Sequence, residues 1–450
     1  MATLTTQLCG WGRYPVQTCE LERPERYRDF HPGAVPAIAR GRGRSYGDAA
    51  LNQNGRVLLS ERLNRFLAFD RERGVVRAEA GLTLEELLAV AIPRGWFPAV
   101  TPGTRYASLG GCVAADVHGK NHHRDGSFGD HVLGLELILA DGNRLPCSPQ
   151  EHPDAFWATI GGMGLTGLIG EVTLRLAPLE SAHVVVQHRP ARDLEQMFHL
   201  LEEPSFDDHY TVAWVDCLAA GRDLGRGIAM AGHHAAPDEL PSALRAIPLE
   251  HRPQRRHSLP FDLPGRVLNP WTVRAFNALY YRRQGGKGRF LAGYESFFYP
   301  LDGLLHWNRM YGKRGFLQYQ CAIPTAEAFQ GIKALLERLA ASRRPSFLAV
   351  LKRFGPQGRG LLSFPTAGYT LALDLPLRDP GVFALLDELD RTVLVHGGRV
   401  YLAKDARLSP AAFRAMYPRY PEWLEIKRAL DPEGSFSSSL SRRLAMGEEE

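Results

Sequence analysis

The sequence predicts an α+β fold on three observations: two glycine-rich loops that each follow an apolar strand-like run, one well-marked helix among such runs, and a long central stretch where strands alternate with amphipathic helices. The first loop is Gly41-Arg42-Gly43-Arg44-Ser45-Tyr46-Gly47-Asp48, after the run from Val35 to Ala39. The second opens with Pro102-Gly103-Thr104, after the run from Trp96 to Val100, and continues as Gly110-Gly111-Cys112-Val113-Ala114-Ala115-Asp116-Val117-His118-Gly119-Lys120. Glycine frees φ and removes the Cβ, so backbone can approach a pyrophosphate closely. Two such loops in tandem would surround a dinucleotide with N–H donors. Neither loop ends in the Gly-Lys-Ser/Thr of a nucleotide-binding P-loop. Tyr46 stands where a Rossmann fingerprint has its third glycine, so the pair points to a flavin dinucleotide held in another way.

The helix runs from Thr83 to Ile92: Thr83 can cap it, Leu84, Leu87, Leu88 and Ile92 recur at helical spacing, and Pro93 marks its end. A strand from Leu168 to Leu176 closes the first part, and the change of character after Arg175-Leu176-Ala177-Pro178 places a domain boundary near residue 180. From there to about residue 395, strands such as Val184 to Gln187, Phe316 to Ile323 and Tyr369 to Leu375 alternate with helices, which suggests an antiparallel sheet covered on one side. The best of these helices, Thr325 to Ala341, carries Phe329, Ile332, Leu335, Leu336 and Leu339 on one face. The stretch from His251 to Arg289 is rich in Arg, Gly and Pro, interleaves Trp271, Phe276, Tyr280 and Tyr281, and lacks a sustained period. A long loop or pair of loops is expected there, as a solvated excursion, a substrate lid or a contact with an anionic membrane.

A chain of 450 residues, 44% hydrophobic and 23% charged, has material for two or three domains with a sizeable core. The net charge of +5 suits attraction to phosphate groups or an anionic membrane and is too small to argue nucleic-acid binding. Cys9, Cys19, Cys112, Cys147, Cys217 and Cys321 form no C-x-x-C pair, so reduced, mostly buried thiols are expected rather than a zinc site or a disulfide framework. Metal binding at His118, His122 and His123 is not expected either, because no carboxylate is spaced to complete a coordination sphere. Met1 to Leu8 has neither a basic nor an apolar leader region, and no segment has the ~18 uninterrupted apolar residues of a spanning helix. A cytoplasmic protein is expected, with peripheral contact at the inner membrane as the alternative.

The two loops resemble the PCMH-type FAD-binding module of the vanillyl-alcohol oxidase superfamily. The finer text, His118-Gly119-Lys120-Asn121-His122-His123 followed by Gly126-Ser127-Phe128-Gly129, is similar to the decaprenylphosphoryl-β-D-ribose oxidase family. Phe156-Trp157-Ala158-Thr159-Ile160-Gly161-Gly162-Met163-Gly164-Leu165-Thr166-Gly167, Phe316-Leu317-Gln318-Tyr319-Gln320, Leu351-Lys352-Arg353-Phe354-Gly355 and Tyr401-Leu402-Ala403-Lys404-Asp405 read the same way, so the likeness spans most of the chain. It implies a two-subdomain FAD-binding domain at 1–180, a substrate-binding domain at 181–397, and a segment at 398–450 that returns to complete the first. It implies flavin contacts at Arg40, Gly41, Arg42, Gly43, Arg44, Ser45, Tyr46, Gly47 and Asp48 in the first loop. In the second it implies Gly103, Thr104, Ser108, Gly110, Gly111, Ala115, Asp116, His118, Gly119 and Asn121, and beyond the loops Ile169 and Tyr401.

An isoalloxazine ring accepts hydride from a carbon, so the protein need only hold the substrate C–H over the ring and manage the hydroxyl proton. The resemblance makes Lys404 the essential active-site lysine, either as a base whose pKa burial has lowered or as a cation that holds an alkoxide. His118 ends the second loop, where it can bond a substrate hydroxyl or phosphate, and Lys120 adds a fixed positive charge. Alternation puts Gln318 and Gln320 on one strand face, suited to sugar hydroxyls, and Lys352 and Thr370 complete the expected substrate contacts. His122 and His123 are expected to cap or to lie on the surface.

Two departures from the family pattern matter. Many members of the wider superfamily tether the flavin through a histidine where this chain has Arg44, so non-covalent FAD is expected. Mycobacterial members have an asparagine and a cysteine where this chain has Thr370 and Ala372. The leading expectation is an FAD-dependent oxidoreductase that turns a secondary sugar hydroxyl, the ribose 2-hydroxyl of a polyprenyl-phosphate ribose, into a ketone. A partner short-chain reductase would complete an epimerisation to arabinose for cell-wall arabinan. The alternative keeps the flavin but takes a small soluble sugar, as an aldonolactone or alditol oxidase with oxygen as acceptor. A non-enzymatic protein that binds nucleic acid or membrane through the Arg252 to Arg289 stretch would leave both glycine loops unexplained.

Overall fold

The computed structural model describes residues 4–27, 35–265, 267–346 and 348–447. Met1, Ala2 and Thr3 of the N-terminal segment read above lie outside them, as does Arg266 of the arginine-rich stretch. The first of three main sheets orders its strands Leu4–Cys9, Val16–Glu22, Arg56–Leu59 and Ala37–Arg40, and Arg56–Leu59 runs parallel to both of its neighbours. The second orders Phe66–Asp70, Val75–Glu79, Leu168–Pro178, Val132–Ile138 and Arg144–Cys147, with Trp96–Pro98 also paired to Leu168–Pro178. The third has eight strands: Arg289–Gly293, His183–Ala191, Gly227–His234, Tyr210–Val215, Ala349–Phe354, Gly368–Pro376, Phe316–Pro324 and Arg399–Val400. All of its pairings are antiparallel.

The chain passes from the second sheet to the third between Pro178 and His183. Past Arg399–Val400 it turns back to the first sheet: Ala37 N donates to Ser435 O at 2.8 Å, Ser437 N to Ala37 O at 3.0 Å and Ser439 N to Leu51 O at 2.8 Å. Burial follows periodicity. Helix Leu84–Ala91 is closed by a reciprocal cap, Glu86 N to Thr83 Oγ1 at 3.2 Å and Thr83 N to Glu86 Oε2 at 2.8 Å, and buries Leu84, Leu87, Leu88 and Ala91. Helix Ala328–Ser342 starts three residues later than the sequence suggests, because Thr325–Glu327 forms a 3₁₀ turn. It lays Ile332, Leu335, Leu336 and Leu339 on the eight-stranded sheet, beside helix Gly381–Val395. Ile38 and Val57 of the first sheet share one apolar cluster with Leu351, Leu371 and Tyr401, so the first glycine loop and the eight-stranded sheet are anchored in a common core.

The loop expected between His251 and Arg289 is found up to Asn269 among the described residues, apart from the two-residue strand His257–Ser258, and is corrected beyond it: Pro270–Gly285 is a helix of 16 residues, capped by Asn269, whose Oδ1 accepts from Trp271 N at 2.9 Å and Thr272 N at 3.0 Å. Its inward positions Val273, Asn277, Tyr280 and Gln284 recur at helical spacing but mix apolar with polar, since two of them line a cavity rather than a core. That mixture hides the period from a hydrophobicity reading. The six cysteines are free, and all but the half-buried Cys9 are buried. Among the described residues no helix is long and apolar enough to cross a membrane.

Candidate active site

A cavity of about 700 Å³ lies between the two glycine loops and the eight-stranded sheet. The first loop enters it as backbone from Gly41 to Tyr46, and the N–H groups of Gly41 to Ser45 donate to no backbone acceptor among the described residues. Close packing makes the glycines necessary: a Cβ on Gly41 would stand 2.1 Å from Ser108 Oγ, and Gly43 has a φ of +60°. Ser108 caps the short helix Leu109–Ala114 by accepting from Gly111 N at 3.3 Å, so Gly110 and Gly111 line the cavity beside Gly41, which packs on the same hydroxyl. Loop N–H groups without backbone acceptors, beside a second pair of glycines in one cavity, fit a dinucleotide. Thr104 and Arg105 are tied to the turn at Pro300–Gly303: Thr104 Oγ1 donates to Asp302 Oδ1 at 2.8 Å and Arg105 N to Asp302 Oδ2 at 2.9 Å.

Gly41, Arg42, Gly43, Arg44, Ser45, Tyr46, Gly103, Thr104, Ser108, Gly110, Gly111, Ala115, His118, Gly119, Ile169 and Tyr401 all line this cavity. Arg44 lies flat over Trp11, with its guanidinium 4.2 Å from the ring centre, and its buried Nε has no partner among the described residues. Five other expected flavin contacts sit behind the lining as its frame. Arg40 donates to Cys9 O at 2.7 Å and to Ala50 O at 3.3 Å, Asp48 holds Arg443 at 2.8 Å, and Asn121 Nδ2 donates to Ala99 O at 2.7 Å. Gly47 lets the loop touch the C-terminal turn, since a Cβ there would meet Asp405 O at 1.7 Å. Asp116 accepts from Ser127 Oγ at 2.8 Å and Gly129 N at 2.9 Å, and burial pushes its carboxyl up to about 6.

The expected substrate contacts share one face of three adjacent strands. Register sets Gln318 opposite Asp374, Gln320 opposite Ala372 and Lys352 opposite Thr370, so the period of two aims all six side chains the same way. Gln318, Gln320, Lys352 and Ala372 reach the cavity; Thr370 is wholly buried behind Gln320. Cys321, one position out of phase, points to the opposite face, with Sγ 3.9 Å from Leu371 O. His118 lies between the loop and this face, Nε2 2.9 Å from Gln320 Nε2 and Nδ1 2.9 Å from Lys352 Nζ. Burial, with Lys352 adding like charge, holds its pKa well below the usual imidazole range.

Three lysines converge on the cavity, and burial brings each down to about 7. Lys120, expected as a positive charge, lines the cavity; its Nζ donates to Phe297 O and lies 4.0 Å from that ring's centre. Lys352 is lowered further by Lys120 and Lys404, whereas Asp374 pulls Lys404 back up. His122 and His123 are corrected, since neither caps nor lies on the surface. His122 is buried with Nδ1 accepting from Gly355 N at 3.1 Å, and His123 Nε2 sits 3.2 Å from Asp208 O. Sequence reading passed over Asp374, which accepts from Gln318 Nε2 at 2.5 Å and whose carboxyl burial pushes up to about 7. Its signal was a carboxylate two residues past Ala372 in an otherwise apolar run.

Residues 27–148 match a family described as FAD binding domain. Over 456 aligned residues the chain is 39% identical to decaprenylphosphoryl-β-D-ribose oxidase of Mycolicibacterium smegmatis, covering 99% of this chain and 98% of the relative. The chain belongs to the decaprenylphosphoryl-β-D-ribose oxidase family. An uncharacterised protein of Streptomyces coelicolor is 37% identical over 372 residues, 81% of this chain and 100% of that one. A putative D-arabinono-1,4-lactone oxidase of Neurospora crassa is 30% identical over 138 residues, 31% of this chain and 24% of its own length. As a member of the family, the chain is an FAD-dependent oxidoreductase acting on CH–OH groups, with the α+β, PCMH-type fold that the two loops suggested.

Proposed function

We propose that this oxidoreductase converts the ribose 2-hydroxyl of a polyprenyl-phosphate ribose to a ketone, as the oxidative half of an epimerisation to arabinose, with FAD held non-covalently. One observation carries the reading: Lys120, Lys352 and Lys404 share a cavity with both glycine loops. Such amines suit a substrate that brings its own negative charge, because a phosphate repays the burial of each ammonium. The bound flavin supplies the hydride acceptor. Lys404 takes the hydroxyl proton as a neutral amine, and Gln318 and Gln320 orient the sugar hydroxyls.

Helix Pro270–Gly285 supports a lipid-linked substrate. Tyr280 and Gln284 line the cavity, while Trp271 and Leu279 are 79% and 64% exposed beside Arg274, Arg282 and Arg283. An exposed tryptophan and leucine among arginines suit the headgroup region of an anionic leaflet, which would place the enzyme peripherally at the inner membrane with a short-chain reductase taking up the ketone. A small soluble sugar, the second reading, would leave Lys120 and Lys352 without an anion. Anaerobic bleaching of the flavin by polyprenyl-phosphate sugars, free pentoses and aldonolactones tests the proposal. Bleaching by the lipid-linked ribose alone supports it; bleaching by an aldonolactone or free pentose alone replaces it with the soluble-sugar reading.

A further inference from the structure

A buried hydrogen-bond chain joins the sheet to the active-site amines. Thr370 Oγ1 donates to the Cys321 carbonyl at 2.8 Å and accepts from Gln320 Nε2 at 3.1 Å. The same Gln320 Nε2 lies 2.9 Å from His118 Nε2, and across the ring Nδ1 lies 2.9 Å from Lys352 Nζ. Protons can be counted inward from Thr370. Its single hydroxyl proton goes to Cys321 O, so it presents only a lone pair to Gln320, which an amide NH₂ satisfies and an amide oxygen does not. The second amide N–H then points at His118 Nε2, which must be unprotonated to accept it. A neutral imidazole carries its proton on the other nitrogen, so Nδ1–H faces Lys352 Nζ, and only an uncharged amine has a lone pair to receive it.

Turning the Gln320 amide over would reverse every step. Its oxygen would accept from Nε2–H, and Nδ1 would accept from a Lys352 ammonium. The cost is two oxygens face to face at Thr370, or loss of the bond to Cys321 O, in a place with no exposed surface for water.

We infer that Thr370 is a positioning residue which, through Gln320, fixes His118 as its Nδ1–H tautomer and holds Lys352 as a neutral amine in the resting site. The surroundings agree. The titratable groups facing Lys352 are His118, His122, Lys120 and Lys404, all neutral or cationic, and burial brings its pKa down to about 7. The acceptor that its own N–H groups reach among the described residues is Gly119 O at 3.5 Å. Lys352 therefore waits as a proton acceptor, and an arriving anion has to drive its protonation.

The test uses flavin-loaded protein labelled with ¹⁵N-histidine at pH 7.5, with the His118 signals assigned by their loss in His118→Asn. The expected result is a protonated, pyrrole-type Nδ1 and a bare, pyridine-type Nε2. Thr370→Val, nearly the same shape but without the lone pair, is expected to move the proton to Nε2, and Thr370→Ser to restore it. The kinetic readout rests on the proposed sugar oxidation. In Thr370→Val the pH limb of flavin bleaching that is lost in Lys352→Met should rise by about one unit, a tenfold change in protonation. A wild-type His118 protonated at Nε2 overturns the inference whether or not the variants fold, as does a Thr370→Val protein that keeps the proton on Nδ1. Failure of every sugar to bleach the flavin would overturn the proposed function instead, and the imidazole signals would still decide the role of Thr370.

Discussion

Lys404 Nζ lies 3.9 Å from the centre of the Tyr46 ring, and Tyr46 N donates to Ala403 O at 3.0 Å. The first glycine loop and the C-terminal turn are thus assembled as one unit, with residues from opposite ends of the chain meeting at the cavity. Gly47 completes the contact, since any side chain there would strike Asp405 O. The loop that frames the flavin site therefore also sets where the Lys404 amine stands.

Lys404→Ala is expected to keep the flavin, because the loop N–H groups are untouched, and to lose substrate-dependent bleaching by about 10² to 10⁴, the range of general-base catalysis. Lys404→Arg should fail as well, since arginine does not give up its proton at working pH and its planar head is larger. Stopped-flow absorbance checks both, and a Lys404→Ala rate within a few-fold of wild type removes the lysine from the mechanism.

The flavin is expected to leave with acid. Arg44 has no nucleophilic ring nitrogen and is engaged over Trp11, while both ring nitrogens of His118 are occupied by Gln320 and Lys352. Acid precipitation should yield a colourless pellet and a yellow supernatant. A yellow pellet would show a covalent link.

A nitroaromatic compound that is reduced at the flavin to a thiol-reactive species should bind this protein reversibly. Ala372 has no thiol, and Cys321 points to the far side of the strand with its thiol pushed up by burial to about 12. Activity should return on dialysis with no change in intact mass, and Ala372→Cys should gain the mass of one inhibitor. A stable adduct on the unaltered chain would contradict the register that places Ala372 opposite Gln320.

Substrate binding is expected to take up protons. Lys120 and Lys352 have pKa values near 7 in the resting site, and a bound phosphate raises them. Affinity is then full below pH 7 and falls as pH rises through 7 towards the raised values in the complex. Calorimetric titration with a short-chain prenyl-phosphate ribose in two buffers of different ionisation heat reads this directly, and equal heats in the two would refute it.

Much of the site was legible because its signals are local. Glycine spacing in the two loops, the capped helix at Thr83 and the alternation of Gln318 with Gln320 depend on neighbours a few residues away, and each appears where its pattern puts it. Helix Pro270–Gly285 escaped because its inward face looks into a cavity and carries no apolar stripe. The buried positions of His122 and His123 escaped because they are made by Gly355 and Asp208, more than 80 residues away.

The sequence by itself determined the fold class, the flavin loops and the family, since these rest on residue type and short spacing. Only the tertiary structure decided the charge state of the site. Lys120, Lys352 and Lys404 read along the chain as three ordinary cations; buried around one cavity, with Asp374 the carboxylate that acts on Lys404, each is brought down to about 7. Desolvation and like-charge repulsion depend on what surrounds a group in space, and strand register and loop contacts spanning hundreds of residues set those surroundings here.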